Sequence, residues 1–291
     1  MTSRYIDPYT DFGFKKLFGE EAHKDLLIDF LNAVLPEDRQ IETLTFQNPE
    51  NRPDSPLQRL ALFDIFCRSK TGEQFIVEMQ KVEQEFFRDR SVFYSTFPIR
   101  KQAVKGAWDF NLKQVYFVAI LNFRYDEKED RQKFLREVTL KDQDGDLFYD
   151  KLYFLFFQMP LFTKTESELQ THKDKWFYFL KNLVDFDTIP AILQEPVFER
   201  AFEIAEYVKL PLEEQERYEN DLKIYRDNYA ALKTAENKGI EIGKTEGIEI
   251  GKTEGRVERQ VEIARNFKRL GVDPETIAQA TGLSIDEIKK L

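Results

Sequence analysis

The sequence predicts an α/β fold: an αβββαβ core in which helices flank a mixed sheet, followed by a helical C-terminal extension. Three observations carry that expectation. Two apolar runs with strand-like alternation, Leu60–Cys67 and Gln74–Gln80, are joined by the polar stretch Arg68–Glu73. Val115–Phe123 is apolar at nearly every position, the pattern of a strand buried on both faces. Around these runs lie segments with apolar residues at three- and four-residue steps, the period of amphipathic helices.

In chain order, Asp11–Phe18 and Ala22–Leu35 read as helices. Phe14, Leu17 and Phe18 form one apolar stripe, Leu26, Leu27, Phe30, Leu31 and Val34 the next, and Pro36 ends the second helix. Asp11 fits a helix cap or first-turn acid, where the helix dipole favours a carboxylate. Ile41–Phe46 is a plausible first strand. The Pro- and Asn-rich stretch Gln47–Pro56 reads as a loop able to reach a substrate.

The two runs from Leu60 to Lys81 form a hairpin. With Lys70-Thr71-Gly72 as a three-residue loop and Gly72 left-handed, counting outward sets Asp64 directly across from Glu78. Side chains alternate faces along a strand, so Gln80 shares a face with Glu78. Two carboxylates and an amide thus meet on a hairpin otherwise made of Leu, Phe, Ile, Val and Met. Two readings fit. The pair is either solvated on the wet face of an antiparallel sheet, or it holds a hard divalent cation, which offsets both desolvation and mutual repulsion. The rarity of Asp in strands, here between Phe63 and Ile65, leans towards the cation.

Glu85–Trp108 is helical in pattern, interrupted or bent around Pro98, with Arg90 and Tyr94 four residues apart on one face. Phe134–Phe162 predicts a second hairpin, with Asp142–Asp146 as its turn and Leu152–Met159 as its return strand. DQDGD resembles the start of a calcium loop, but Tyr153 stands where such a loop ends in a bidentate Glu, so turn chemistry accounts for it. Lys175–Leu183 and Pro196–Val208 are Phe-rich amphipathic helices.

Beyond Leu210 the composition shifts. The expected division is a first domain over 1–210, a charged helical extension over 211–238, a glycine-spaced linker over 239–256 and a small helical tail over 257–291. The octad GIEIGKTE occurs at Gly239 and again at Gly247, and glycine recurs every fourth residue to Gly255. Each helix-interior glycine costs about 1 kcal/mol relative to Ala. The stretch therefore reads as a linker that becomes helical against a partner. The tail reads as helices Val257–Leu270, Pro274–Thr281 and Ser284–Leu291, resembling a helix-turn-helix. Its last helix, IDEIKKL, offers no Arg, Asn or Gln to base edges, which suits protein contact better than sequence reading.

The chain has 291 residues, enough for one domain with appendages or for two small domains. Its only cysteine, Cys67, excludes an intrachain disulfide. The charged start and short apolar runs predict neither a signal peptide nor a membrane span, hence a cytoplasmic protein with no membrane partner. A net charge of −10 argues against indiscriminate nucleic-acid binding. From Lys81 to Lys113, however, seven basic residues stand against four acidic ones, a local balance of +3. That suits a phosphodiester substrate, and equally a solvated helix face.

Asp64 followed by Glu78-Met79-Gln80 resembles the D…(D/E)-x-K signature of PD-(D/E)XK nucleases. More closely, the chain resembles the Rpn-type recombination-promoting nucleases, or PD-(D/E)XK nuclease family transposases. Asp7–Gly19 (DPYTDFGFKKLFG), Phe87–Tyr94 (FRDRSVFY) and Val115–Phe123 (VYFVAILNF) match that group in order, and the likeness extends through Phe162–Leu183 to the glycine-spaced tail. Two positions depart from the wider superfamily: Phe63 replaces the proline before Asp64, and Gln80 replaces lysine. Glutamine hydrogen-bonds but brings no positive charge.

The resemblance implies a restriction-endonuclease-like core and a metal-dependent DNA endonuclease linked to recombination or transposition. Asp64, Glu78 and Gln80 would be catalytic, with Mg²⁺ on Asp64 and Glu78 and Mn²⁺ able to substitute. It also implies that Arg90 contacts a phosphate with support from Tyr94, and that the helix bearing Asp11 helps build the cleft. One motif per chain cuts one strand, so double-strand cleavage calls for a homodimer, with the C-terminal region as a candidate contact. Two other functions remain compatible: a DNA-binding or accessory protein with a weakened site on the same fold, and a protein-interaction scaffold.

Overall fold

The computed structural model describes residues 3–51, 61–103, 109–124 and 133–291. The chain forms two units, one reaching Lys223 and the other running from Ile224 to Leu291.

The first unit opens with helix α1 (Asp11–Phe18), at the expected boundaries, and helix α2 (Lys24–Val34), which starts two residues later and ends one earlier than expected. Thr10, rather than Asp11, caps α1: its hydroxyl accepts the N–H of Gly13 at 2.9 Å, and Asp11 occupies the first turn. Strand β1 is shorter than expected, Leu44–Phe46. The short strands β2 (Glu50–Asn51) and β3 (Ala61–Leu62) pair with each other, and the rest of the expected Gln47–Pro56 loop lies outside the described residues. Strands β4 (Ile65–Ser69) and β5 (Gln74–Gln80) then form the hairpin. Its register is the one counted from the turn, with Ile65 opposite Val77 and Arg68 opposite Gln74. Gly72 takes φ +104°, a conformation open to glycine at little cost.

Helix α3 spans Phe87–Lys101 with Pro98 inside it; residues 104–108 of the longer expected helix lie outside the described residues. Strand β6 (Val115–Leu121) is buried at all seven positions. Strands β7 (Leu135–Lys141) and β8 (Leu147–Gln158) make the second hairpin. In its turn the Asp142 carboxylate accepts the N–H groups of Asp144 and Asp146, the side-chain-to-backbone bonding typical of Asp in turns. Helices α4 (His172–Asn182) and α5 (Pro196–Ala205) follow.

The main sheet has the order β1-β4-β5-β6-β8-β7. Its two hairpins are antiparallel, while β6 runs parallel to both β5 and β8. The result is the mixed sheet that the sequence predicts. Alternation along each strand sorts the apolar residues into two cores. Val77, Met79, Val118, Ile120, Leu155 and Phe157 face the helices α1, α2, α4 and α5. Phe66, Ile76, Ala119, Leu121, Phe154 and Phe156 face α3, with Phe63 and Phe87. A ladder of stacked rings, Phe75, Tyr116 and Tyr153 at about 5 Å spacing, ties three strands together on the first face.

Helix α6 (Leu212–Arg269) is continuous through the glycine-spaced stretch. Its first turns belong to the sheet-bearing unit, where Tyr218 is buried. In the second unit the end of α6 packs with α7 (Pro274–Thr281) and α8 (Ile285–Lys290) around Ala264, Ile277 and Ile288. Ser284 and Glu287 form a reciprocal capping box at the start of α8. Among the described residues no helix is long and apolar enough to cross a membrane.

Candidate active site

The hairpin expected to hold Asp64 within a strand breaks there. Phe63 and Asp64 lie between β3 and β4, and Asp64 sits in a bend. As the main chain turns away, the Asp64 carboxylate takes over its place in the ladder, accepting the N–H of Met79 on β5 at 2.8 Å. This bond fixes the carboxylate against β5 and aims it at the cleft. Phe63, at the superfamily's proline position, is 3% exposed and packs edge-on against Tyr94 at 5.1 Å and Phe66 at 5.6 Å. Its ring anchors the bend in the α3-side core.

Glu78 lies on the α3 face of β5 and is 2% exposed. The Gln80 amide, two residues on, donates to its carboxylate at 3.0 Å. The Asp64 backbone N–H approaches the other carboxylate oxygen at 3.4 Å, and the Arg90 guanidinium stands 4.0 Å away. Arg90 also binds Gln84 and lies over the Tyr94 ring, 4.9 Å from its centre. The structure therefore brings Asp64, Glu78, Gln80, Arg90 and Tyr94 into one neighbourhood. Lys81 points the other way and pairs with Asp7 at 2.6 Å.

Asp64 opens onto a cleft of about 590 Å³. Asp11 of α1 also lines it and pairs with Lys15 at 2.6 Å, while Glu78 and Gln80 sit behind, on the α3 side. The remaining walls come from Gln47 and Pro49 and from Glu214, Arg217 and Asp221 of α6. Sequence reasoning missed these last three. Lys15 was findable, four residues after Asp11 on the same helical face. The α6 wall was not, because it rests on contacts some two hundred residues apart in sequence: the Asp221 carboxylate accepts the N–H of Phe12 at 2.9 Å, and the Tyr218 hydroxyl that of Asp7 at 2.8 Å.

Electrostatically the two carboxylates are costly neighbours. Burial pushes the Asp64 carboxyl up to about 6, with Asp11 adding to the shift and the Met79 N–H, Lys15 and Arg90 opposing it. Glu78 is raised well above the usual carboxylate range, first by burial and then by Asp64, against the pull of Arg90. Two hard oxygen donors side by side, each penalised for its charge, are the chemistry a divalent cation satisfies. Among the described residues no cluster of three His, Cys, Asp or Glu side chains is arranged for a metal. A cation here would thus have two carboxylates and take its other oxygens from water and substrate, the habit of Mg²⁺. Among the described residues, three basic and five acidic side chains line the cleft, so a phosphodiester would enter more readily with a cation present.

No curated protein and no solved structure matches the chain. One family model does, over residues 8–235, and it is described as PD-(D/E)XK nuclease family transposase. The match begins beside the Asp7–Lys81 pair, covers the bend at Asp64 and the Glu78-Met79-Gln80 strand, and ends within α6. On that coverage, together with the mixed sheet and its carboxylate pair, the chain belongs to the PD-(D/E)XK nuclease family transposases.

Proposed function

We propose that the protein is a divalent-cation-dependent DNA endonuclease. The observation that carries this is the convergence of Asp64 and Glu78 at a strand break, each held in a setting that penalises its charge. Asp64 and Glu78 would hold Mg²⁺, with Mn²⁺ able to substitute. When bound, the ion supplies a more acidic water and neutralises charge on the phosphate. Gln80 anchors Glu78 through its N–H₂ and keeps its carbonyl oxygen to accept a hydrogen bond from the attacking water and so orient it. Arg90, held over Tyr94, offers its guanidinium to a phosphate oxygen near Glu78. Asp11 and Lys15 line the approach and set the field at Asp64.

One such site cuts one strand, so cleavage of both strands takes two subunits, with the C-terminal region as the candidate contact. Gln80 in place of lysine also favours a second reading, a slow or inactive site on a DNA-binding accessory protein. Nicking of supercoiled plasmid in Mg²⁺ or Mn²⁺, wild type beside Asp64→Ala and Glu78→Ala with EDTA controls, separates the two. Loss of nicking in both folded variants supports the nuclease. Equal trace activity in all three supports the accessory protein.

A further inference from the structure

A second cavity, of about 390 Å³, lies between α3 and the β7–β8 hairpin. Arg88 of α3 and Arg136 of β7 line it, with Phe154 and Phe156 of β8 beneath and Val92 at the rim; Glu137 is the acid on its described lining. The strand registers place this cavity relative to the carboxylates. Glu78 pairs with Ala119, Ala119 with Phe156, and Phe156 with Arg136, one residue per strand across β5, β6, β8 and β7. Ala119 and Phe156 belong to the α3-side core, the face on which Glu78 lies. Neighbouring strands are about 4.8 Å apart, so Arg136 is roughly 14 Å from Glu78 along the row. At the stacked rise of about 3.4 Å per nucleotide, that is at most about four nucleotides of a strand, an unstacked strand spanning it in fewer.

We infer that this cavity is a subsite for an unpaired nucleotide of the substrate strand flanking the cut, its phosphate on Arg88 and Arg136 and its base against the apolar floor and rim. The inference rests on the nuclease reading given above. Guanidinium forks match phosphate oxygens, and five N–H donors let each arginine keep its contacts within the chain while binding a ligand. The floor is aromatic, with the Phe154 and Phe156 rings 6.1 Å apart, and exposed Val92 and Val138 continue the apolar surface at the mouth. A guanidinium pair beside an apolar, ring-floored cavity suits a nucleotide whose base has left its stack. A base still paired in a duplex could not reach that floor.

Fluorescence-anisotropy titrations of the full-length chain test this. The probes are labelled duplexes with single-stranded flanks of zero to eight nucleotides on either side, in Ca²⁺ at several salt concentrations. Wild type should bind more tightly as one flank reaches about four nucleotides. Arg88→Gln/Arg136→Gln should lose that gain, weaken about tenfold on the flanked probe and show a salt slope lower by about one, since both arginines meet one phosphate. Arg88→Lys/Arg136→Lys should keep the slope. If the double variant fails to fold, Arg88→Gln alone, at an exposed helical position, should lose most of the flank-dependent gain and lower the slope by part of that unit. A wild-type chain that binds and cleaves DNA while the glutamine variants keep its affinity, slope and flank dependence overturns the subsite and leaves the nuclease standing. A wild type that binds no DNA overturns both.

Discussion

At the scale of single residues, the site is governed by carboxylates held where ionisation is penalised. An acid whose folded pKa exceeds its unfolded value binds its proton more tightly when folded. Its contribution to stability therefore falls as pH rises from the unfolded value near 4 to the folded value, about 6 for Asp64. In chelator, Asp64→Asn should be more stable than wild type at pH 7.5 by order of 2 kcal/mol, since an amide oxygen still accepts the Met79 N–H. Thermal melts should show that gap closing as pH drops to about 4, and added Mg²⁺ should narrow it at pH 7.5 by stabilising wild type alone. A gap independent of pH would mean that Asp64 ionises freely in the fold. Gln80 offers a separate test. Gln80→Lys would set an ammonium beside Glu78, restoring the cation the superfamily uses, and should raise the single-turnover cleavage rate about tenfold. An unchanged rate would show that Gln80 contributes geometry alone. That Asp64 comes near Glu78 was legible because the hairpin register follows from its turn, although the ladder ends at Ile65 opposite Val77. The bend that makes the Asp64 carboxylate a ladder partner was not, because it depends on Phe63 finding a core among Phe66, Tyr94 and Phe97 that no local pattern specifies.

At the scale of elements, two glycines fix how the site's supports meet. A Cβ on Gly13 would stand 2.1 Å from the Asp7 carbonyl oxygen, which also accepts the Thr10 hydroxyl. This close approach ties the Asp7–Thr10 turn to α1, and with it the Asp7–Lys81 pair at the end of β5. Gly13→Ala should cost about 2–3 kcal/mol by forcing backbone apart. Gly72→Ala should cost about 1–2 kcal/mol, because φ of +104° suits glycine while its nearest neighbour, the Lys113 side chain, can move. Urea unfolding of the two variants measures both, and the reverse order of costs would contradict this assignment of roles. Helices α1 and α2 were readable to within a residue or two because their apolar stripes face one core. Propensity alone makes the glycine-spaced stretch a linker, yet α6 is continuous there, and a Cβ at each of Gly239, Gly243, Gly247, Gly251 and Gly255 would meet nothing within 4 Å.

At the scale of the whole molecule, alternation along five strands builds the two cores, and the site occupies the place where that alternation is interrupted. The central place of β6 was legible because a fully apolar run such as Val115–Leu121 belongs inside a sheet, but its second neighbour is β8 of the other hairpin, not β4, a pairing between distant segments that no local pattern specifies. The docking of α6 on α1 was not legible, because its local sequence is charged and reads as solvated. Tyr218 is its anchor: it packs against Phe12 and Tyr207 and accepts the Asp7 N–H. Tyr218→Phe keeps the ring and removes the acceptor, leaving that N–H without its bond. A loss of about 1–2 kcal/mol in thermal or urea unfolding is expected. No loss would show that water replaces the hydroxyl and that the α6 wall of the cleft is held by packing alone.

The nuclease reading is tested most directly by Mg²⁺-dependent nicking of supercoiled plasmid, comparing wild type with Glu78→Gln after melts have shown both to be folded. The substitution keeps the shape of Glu78 and its place beside Gln80 and removes one of the two charges that would hold the cation. Nicking by wild type that EDTA abolishes, with a rate at least a hundredfold lower in Glu78→Gln, is the predicted result. Nicking at the same rate by both proteins, or by neither, would contradict it.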